Sequence, residues 1–257
     1  MKAIRRQIKR PQAGPPLNSS RVHLRRTVAR FARATEPGML VLDAGAGTSP
    51  YRDLFAHARY EAADFAQLST KYAPLDYVCD LTDIPVEDGR FDRVVFNQVL
   101  EHLPEPERAV TELFRVLKPG GRILCSVPLF FGEHQVPHDY YRYTRYALRR
   151  IFEQAGFHIT GISWLEGYFG TMSYQFRMMH TALPKDLAAI RAVAPGWRAV
   201  KLVPLIVLTR LFAGRLADAY AKADVRWKYR PKTGMPKNYV VLATRPAAAA
   251  ERSTPAP

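Results

Sequence analysis

The stretch from Met39 to Tyr51, MLVLDAGAGTSPY, decides the fold. Four apolar residues, Met39 to Leu42, end in Asp43, and Gly45 and Gly47 follow with only Ala46 between them. A short apolar run closed by glycines reads as a buried parallel strand entering a tight turn. Glycine there permits unusual backbone angles and lets a ligand lie against the main chain. In an open parallel sheet, ligands bind at the carboxyl ends of the strands. The stretch therefore nominates a nucleotide-like cofactor.

Neighbouring positions narrow the choice. A dinucleotide fingerprint wants a third glycine three residues after the second, where Pro50 stands. A P-loop needs Gly-Lys-Ser/Thr, which the chain lacks. An acid just before the glycine turn suits another ligand: a carboxylate receives the ammonium of an amino-acid moiety, or holds backbone amides and water around it. That points to S-adenosylmethionine.

Outward from this stretch the chain alternates strands and helices. A helix is expected from Arg21 to about Ala34, capped by Asn18, Ser19 or Ser20, and a short one from about Tyr51 to Ala58. A second strand, Arg59 to Ala63, stops at Asp64, whose carboxylate can accept from both hydroxyls of a ribose or serve as a turn acid. A third, Asp76 to Cys79, ends in Asp80-Leu81, and a fourth, Val94 to Phe96, ends in Asn97 and Gln98. A helix from about Pro106 to Leu117 buries Ala109, Val110, Leu113, Val116 and Leu117 and is ended by KPGG, before a fifth strand in GRILCSVP. FHITGISWLEG and NYVVLATRP read as two more strands. This rhythm predicts an α/β fold with a mainly parallel, doubly wound sheet.

Three segments, VLDAGAG, FDRVVFNQVLEHL and ELFRVLKPGGRILCSVP, resemble the class I S-adenosylmethionine-dependent methyltransferases, and more narrowly the type 11, ubiquinone/menaquinone-biosynthesis-like group. The resemblance covers about residues 39 to 160. GAGTSPY departs from the group's commoner Gly-x-Gly-x-Gly. The resemblance implies a Rossmann-like, seven-stranded sheet whose last strand, Asn238 to Pro246, runs antiparallel. It also implies that Asp43, Gly45 and Gly47 surround the amino-acid part of the cofactor, and that Asp64 takes the ribose. Asp80 and the Leu81 backbone would meet the adenine, and Asn97 and Gln98 would line the floor near the methionine. Glu101 and His102 belong to the group's segment after the fourth strand, where the plain role is to brace the turn.

Methyl transfer is an in-line displacement at a sulfonium-bound carbon, so the protein aligns the reactants and removes a proton if the acceptor is a hydroxyl. The candidate acceptor-side stretch is PLFFGEHQVPHDYYRYTRYALRRIFEQAGF, beginning at Pro128. His134 and His138 suit proton transfer near neutral pH. Asp139 can orient a histidine or act as the base, and Arg142 can hold a phosphate or carboxylate. Alternatively Asp139, Tyr141 and Arg142 form an internal network that seats a helix from Thr144 to Ala155. No metal-ligand cluster is expected.

With 257 residues, 47% hydrophobic, the chain can bury a substantial single core. Cys79 and Cys125 fall in expected strands and read as core residues of a reducing, cytoplasmic compartment. The net charge is +15, and residues 1 to 40 carry ten Lys and Arg against Glu36 alone. A basic, flexible arm over residues 1–20 suits an anionic membrane surface, or is a solvated tail. No specific nucleic-acid partner is expected.

About seventy residues, roughly 168–236, form an insertion before the closing strand. They include YFGTMSYQFRMMH and WRAVKLVPLIVLTRLFAGRLADAYA. The second run is interrupted by Lys201, Pro204 and Arg210, too often to span a bilayer. It reads as a lid, a dimer helix or a helix lying on a membrane. A disordered tail is expected over 247–257. The resulting expectation is a methyltransferase domain over 21–246 that O-methylates a small-molecule, glycan-like or lipid-like acceptor. The rivals are C-methylation of a quinone-type ring, a non-catalytic scaffold and, on charge alone, nucleic-acid methylation.

Overall fold

The computed structural model describes residues 16–67, 71–194 and 196–247. The expected basic arm, apart from residues 16–20, and the expected tail, apart from residue 247, lie outside the described residues.

Seven strands form one sheet: β1 (Leu40–Ala44), β2 (Arg59–Asp64), β3 (Tyr77–Val78), β4 (Phe91–Asn97), β5 (Leu117–Pro128), β6 (His158–Trp164) and β7 (Asn238–Thr244). Their order is β3-β2-β1-β4-β5-β7-β6. The first five pair in parallel, and β7 runs antiparallel to both β5 and β6. The order turns back at β1, between β2 and β4, so the β1 and β4 ends open the crevice where such sheets bind ligands.

Alternation along each strand separates two cores. Leu42, Val94, Phe96, Ile123, Cys125 and Val241 pack with α2 (Pro106–Val116) and α3 (Arg145–Gln154) on one face. Val41, Val95, Leu124 and Val240 pack with Leu24, Val28 and Phe31 of α1 (Ser19–Arg33) on the other. Phe91, Phe96, Phe152, Leu113 and Leu148 are among the largest fully buried side chains. At about 1.5–3 kcal/mol for each such side chain, these two faces supply most of the driving force.

Local chemistry sets the ends of the helices. The Asn18 side chain accepts from Arg21 N, so α1 begins at Ser19, two residues before its expected start. Thr144 caps α3 by accepting from Ala147 N. The expected helix over Tyr51–Ala58 is only a 3-10 turn, Arg52–Phe55. Arg52 N donates to Ser49 O, Leu54 N to Tyr51 O and Ala58 N to Phe55 O, three-residue steps that close a short connection between β1 and β2. KPGG does not simply end α2. Leu117 already pairs with Phe91, and the ladder resumes at Arg122 opposite Arg93, so Lys118–Gly121 bulge out within β5.

The insertion holds α4 (Tyr168–Ala182), α5 (Leu187–Val193) and α6 (Trp197–Trp227). Asp224 of α6 is wholly buried. It lies 3.1 Å from His23 Nε2 and accepts from Gly167 N at 2.8 Å. A Cβ on Gly167 or Gly170 would come within 2.6 Å of the Asp224 oxygens, so glycine stands at these two positions where α6 crosses the start of α4. Beside this junction the buried Glu166 accepts from both Asn238 N and Asn238 Nδ2, joining the insertion to β7.

Candidate functional site

A cavity of about 580 Å³ opens at the carboxyl ends of the parallel strands. Its wall includes Gly45 and Gly47 after β1, Asp64 and Phe65 at β2, and Val78 to Thr82 at β3. Gln98, His102, Gln135, His138 and Tyr140 also line it. A larger cleft of about 830 Å³ lies between α1 and the face of β5, β7 and β6. It contains neither the glycine turn nor a convergent set of acids, and it sits away from the strand ends where α/β folds bind ligands.

The glycine turn is shaped by two distinct needs. Gly45 has φ +73, and a Cβ there would lie 2.3 Å from Val99 Cγ2. Gly47 has φ +52 but faces open space, with nothing within 4 Å of a Cβ. One glycine is needed for close packing; the other keeps the cavity wall bare. Gly45 N and Ala46 N both donate to Ala63 O, which pins the turn against β2.

Asp64 is almost completely buried and receives Gly47 N at 2.9 Å and Ala66 N at 3.2 Å. A carboxylate has about four acceptor positions, so capacity remains for a diol. Asp80 is exposed just past β3, the strand beside β2, and its Oδ1 accepts from Thr82 N and Thr82 Oγ1. Leu81 adds an apolar surface beside it. Gln98 holds φ +57, anchors its N to Ser126 O at 2.7 Å and reaches Ser126 Oγ with Nε2. Two strand-end acids, apolar lining from Leu81 and Val99 and a bare backbone turn fit an adenosyl group carrying an amino-acid moiety.

Two expected cofactor contacts are placed elsewhere. Asp43 is 4% exposed and stands beneath the turn, where Tyr60 Oη donates to it. Burial pushes its carboxyl up to about 6, although the Tyr60 hydrogen bond pulls the other way. Asp43 thus braces the turn from behind. Asn97 lies outside the cavity wall and accepts from Ser126 Oγ at 2.8 Å, with its buried Nδ2 unpartnered among the described residues. Cys79 is not in a strand but just past β3, half-buried in the cavity wall, and burial raises its thiol to about 11.

The acceptor-side loop, Leu129 to Thr144, is an internal network. Arg142 donates to both Asp139 oxygens, at 2.7 and 2.8 Å, and to the carbonyls of Phe131 and Gly132. Asp139 also accepts from His134 N at 2.7 Å. The hydrogen bonds from Arg142 hold the Asp139 carboxyl far below the usual range. Asp139 is therefore a fixed anion that positions the loop, and the reading of it as a proton-accepting base is corrected. His138 lines the cavity. His134 does not; its ring lies 4.7 Å from that of His102.

His102 and Glu101 carry more than a turn-bracing role. Glu101 is wholly buried, and neither carboxyl oxygen has a hydrogen-bond partner among the described residues. Burial raises that carboxyl to about 8. His102 Nδ1 lies 2.5 Å from His138 O, while its buried Nε2 has no hydrogen-bond partner among the described residues and lies 3.7 Å from Glu101 Oε1. The sequence signal was the Glu-His pair four and five residues past the β4 end; its meaning depends on His134, thirty-two positions after His102.

Sheet order, glycine turn and strand-end acids together define a Rossmann-like methyltransferase fold. A family model described as a methyltransferase domain matches residues 42–125. A demethylmenaquinone methyltransferase of Renibacterium salmoninarum is 32% identical over 126 residues, 45% of this chain and 51% of that protein. Among solved structures, the [4+2]-cyclase SpnF has a TM-score of 0.52 at 19% identity, covering 89% of this chain and 82% of its own. Phosphoethanolamine N-methyltransferase 2 of Haemonchus contortus, in complex with S-adenosyl-L-methionine, has a TM-score of 0.52 at 17% identity, covering 88% of this chain and 52% of its own. At such identities the two structures bear on fold alone, and a cyclase among them illustrates that this fold does not name a reaction. Residues 42–125 thus carry the likeness to a methyltransferase domain, and the fold around them is that of the Rossmann-like methyltransferases. The chain spans about half the length of the curated relatives it matches.

Proposed function

We propose that this protein is an enzyme that binds S-adenosylmethionine in the strand-end cavity and transfers its methyl group to a hydroxyl oxygen of a small acceptor. The observation that carries the reading is the convergence of Gly45, Gly47, Asp64, Asp80, Leu81 and Gln98 on one cavity. Bound there, the cofactor supplies an electrophilic methyl on a good leaving group. The chain's own residues supply orientation. Gly47 leaves the backbone accessible, Asp64 receives the ribose and Asp80 with Leu81 frames the adenine. His138, on the cavity wall, is placed to take a proton. Direct titration with S-adenosylmethionine and S-adenosylhomocysteine tests this reading. Micromolar binding of both supports it, and failure of a folded protein to bind either points to a scaffold.

A lipid-like or glycan-like acceptor is favoured by the insertion. Trp197, Val200, Leu205, Leu208, Leu211 and Phe212 of α6 are all more than half exposed, among Arg198, Lys201 and Arg215. Spacings of three and four place Trp197, Val200, Pro204, Leu208 and Leu211 along one face, opposite the buried Ile206, Ala213, Ala217 and Ala221. No described helix is long and apolar enough to cross a membrane. An exposed apolar face with basic flanks suits peripheral contact with an anionic bilayer, on the cytoplasmic side, where a lipid-linked acceptor would be presented. The name of the Renibacterium relative supports a second reading, C-methylation of a quinone-type ring. Radiolabelled methyl transfer to lipid-linked glycans and to demethylated quinones separates the two.

A further inference from the structure

Glu101, His102 and His134 bring one carboxylate and two imidazoles together at the inner edge of the cavity. One ligand atom from each lies within 4.8 Å of the others. Two are wholly or nearly enclosed: Glu101 is 0% exposed and the His102 side chain 9%. We propose that these three side chains form a binding site for a divalent first-row cation, adjoining the cavity at His102.

Three observations carry the proposal. First, both Glu101 oxygens and His102 Nε2 are buried without a hydrogen-bond partner among the described residues. A buried polar group without a partner costs about 1–3 kcal/mol, and more for a charged one, so three such atoms on two adjoining side chains call for a ligand. Second, both rings are turned as metal-ligating histidines are. His102 Nδ1 is against His138 O at 2.5 Å, and His134 Nδ1 is against Gly132 O at 3.2 Å. A ring that donates its Nδ1 proton to a carbonyl presents a lone pair at Nε2, and this outer contact is the usual companion of a metal ligand. Third, the supports are rigid. Asp139 holds His134 N and is itself clamped by Arg142, and Tyr140 N and Tyr141 N both donate to Glu101 O.

Two imidazoles and one carboxylate with open positions suit Zn²⁺, Fe²⁺, Co²⁺ or Mn²⁺ rather than Ca²⁺. The role of the ion rests on the methyltransferase reading above. An acceptor hydroxyl bound at an open position loses its proton to solvent more readily. The oxygen lone pair then forms the C–O bond while the C–S electron pair returns to the sulfonium sulfur. This use of the ion favours oxygen acceptors over ring carbons.

The test is equilibrium dialysis of the full chain against Zn²⁺ and Co²⁺ with elemental analysis, together with the visible absorption of the Co²⁺ form. The expected result is one ion per chain in the wild type, and at least a tenfold weaker affinity in Glu101→Gln, His102→Gln and His134→Gln. His134 is partly exposed, so His134→Gln remains informative if the buried variants do not fold. Stoichiometry and Co²⁺ spectrum unchanged in a folded His134→Gln would overturn the proposal, as would no saturable binding to the wild type. Titration with S-adenosylhomocysteine in the same samples keeps the two readings apart. Ion binding without cofactor binding sinks only the methyltransferase reading, and cofactor binding without the ion sinks only the metal site.

Discussion

Arg142 meets Asp139 with both terminal nitrogens, at 2.7 and 2.8 Å, three residues apart in sequence. The Asp139 side chain is 5% exposed and that of Arg142 24%, so the pair is little screened. It fixes the loop that carries His134 and His138. In a double-mutant cycle of Asp139→Asn and Arg142→Gln, urea unfolding should give a coupling of about 1–3 kcal/mol. Additive single effects would show that the pair does not organise the loop.

The same pair sets a pH dependence. Arg142 depresses the Asp139 pKa in the fold. Its stabilisation is thus complete above the unfolded aspartate value of about 3.9 and is lost as the pH falls below that toward the lower folded value. The stability gap between wild type and Asp139→Asn should be constant from neutral pH down to about 5 and shrink toward pH 3. A gap that instead closed between pH 6 and 8 would assign it to a histidine.

Asp64→Ala should weaken S-adenosylhomocysteine binding by at least tenfold, about 1.4 kcal/mol. It removes the expected ribose acceptor and releases Gly47 N, which Asp64 now holds. Calorimetric titration checks this, with circular dichroism to confirm the fold. Unchanged affinity would remove Asp64 from the cofactor site.

Gly45→Ala and Gly47→Ala should separate packing from binding. At Gly45 a methyl would collide with Val99, whereas at Gly47 it would enter empty space. Both positions have positive φ, which costs an alanine about 1–2 kcal/mol. Gly45→Ala should therefore lower stability well beyond that, with partial recovery in Gly45→Ala/Val99→Ala. Gly47→Ala should pay only the backbone cost but lose cofactor affinity. Equal melting temperatures for the two single variants would contradict this division.

The outer face of α6 should govern membrane contact. Leu208 and Phe212 are 57% and 51% exposed, so Leu208→Glu/Phe212→Glu should change stability by no more than about 0.5 kcal/mol at each site. It should abolish co-sedimentation with anionic vesicles, which in the wild type should weaken at high salt. Undiminished sedimentation of the variant would exclude this face as the contact.

Periodicity and punctuation predicted a mainly parallel, doubly wound sheet, and the family resemblance supplied its antiparallel last strand. Apolar strands ended by acids and glycines, spaced by helical segments, set the order of elements, and the turn at Gly45 and Gly47 marked the cavity. Those signals are local, since burial alternates with the pleat and glycine answers to a single backbone angle. Only the tertiary structure decided which side chains reach the cavity. Asp43 and Asp64 occupy matching ends of adjacent strands, yet one lies behind the turn against Tyr60 and the other on the cavity wall. The short turn at Arg52–Phe55 replaced an expected helix because it had only to close the link between β1 and β2. Glu101 and His102 read as turn residues until the loop from β5 folds back and sets His134 against His102. Their unmet hydrogen bonds are a property of what surrounds them, and that enclosure is built by residues distant in the chain.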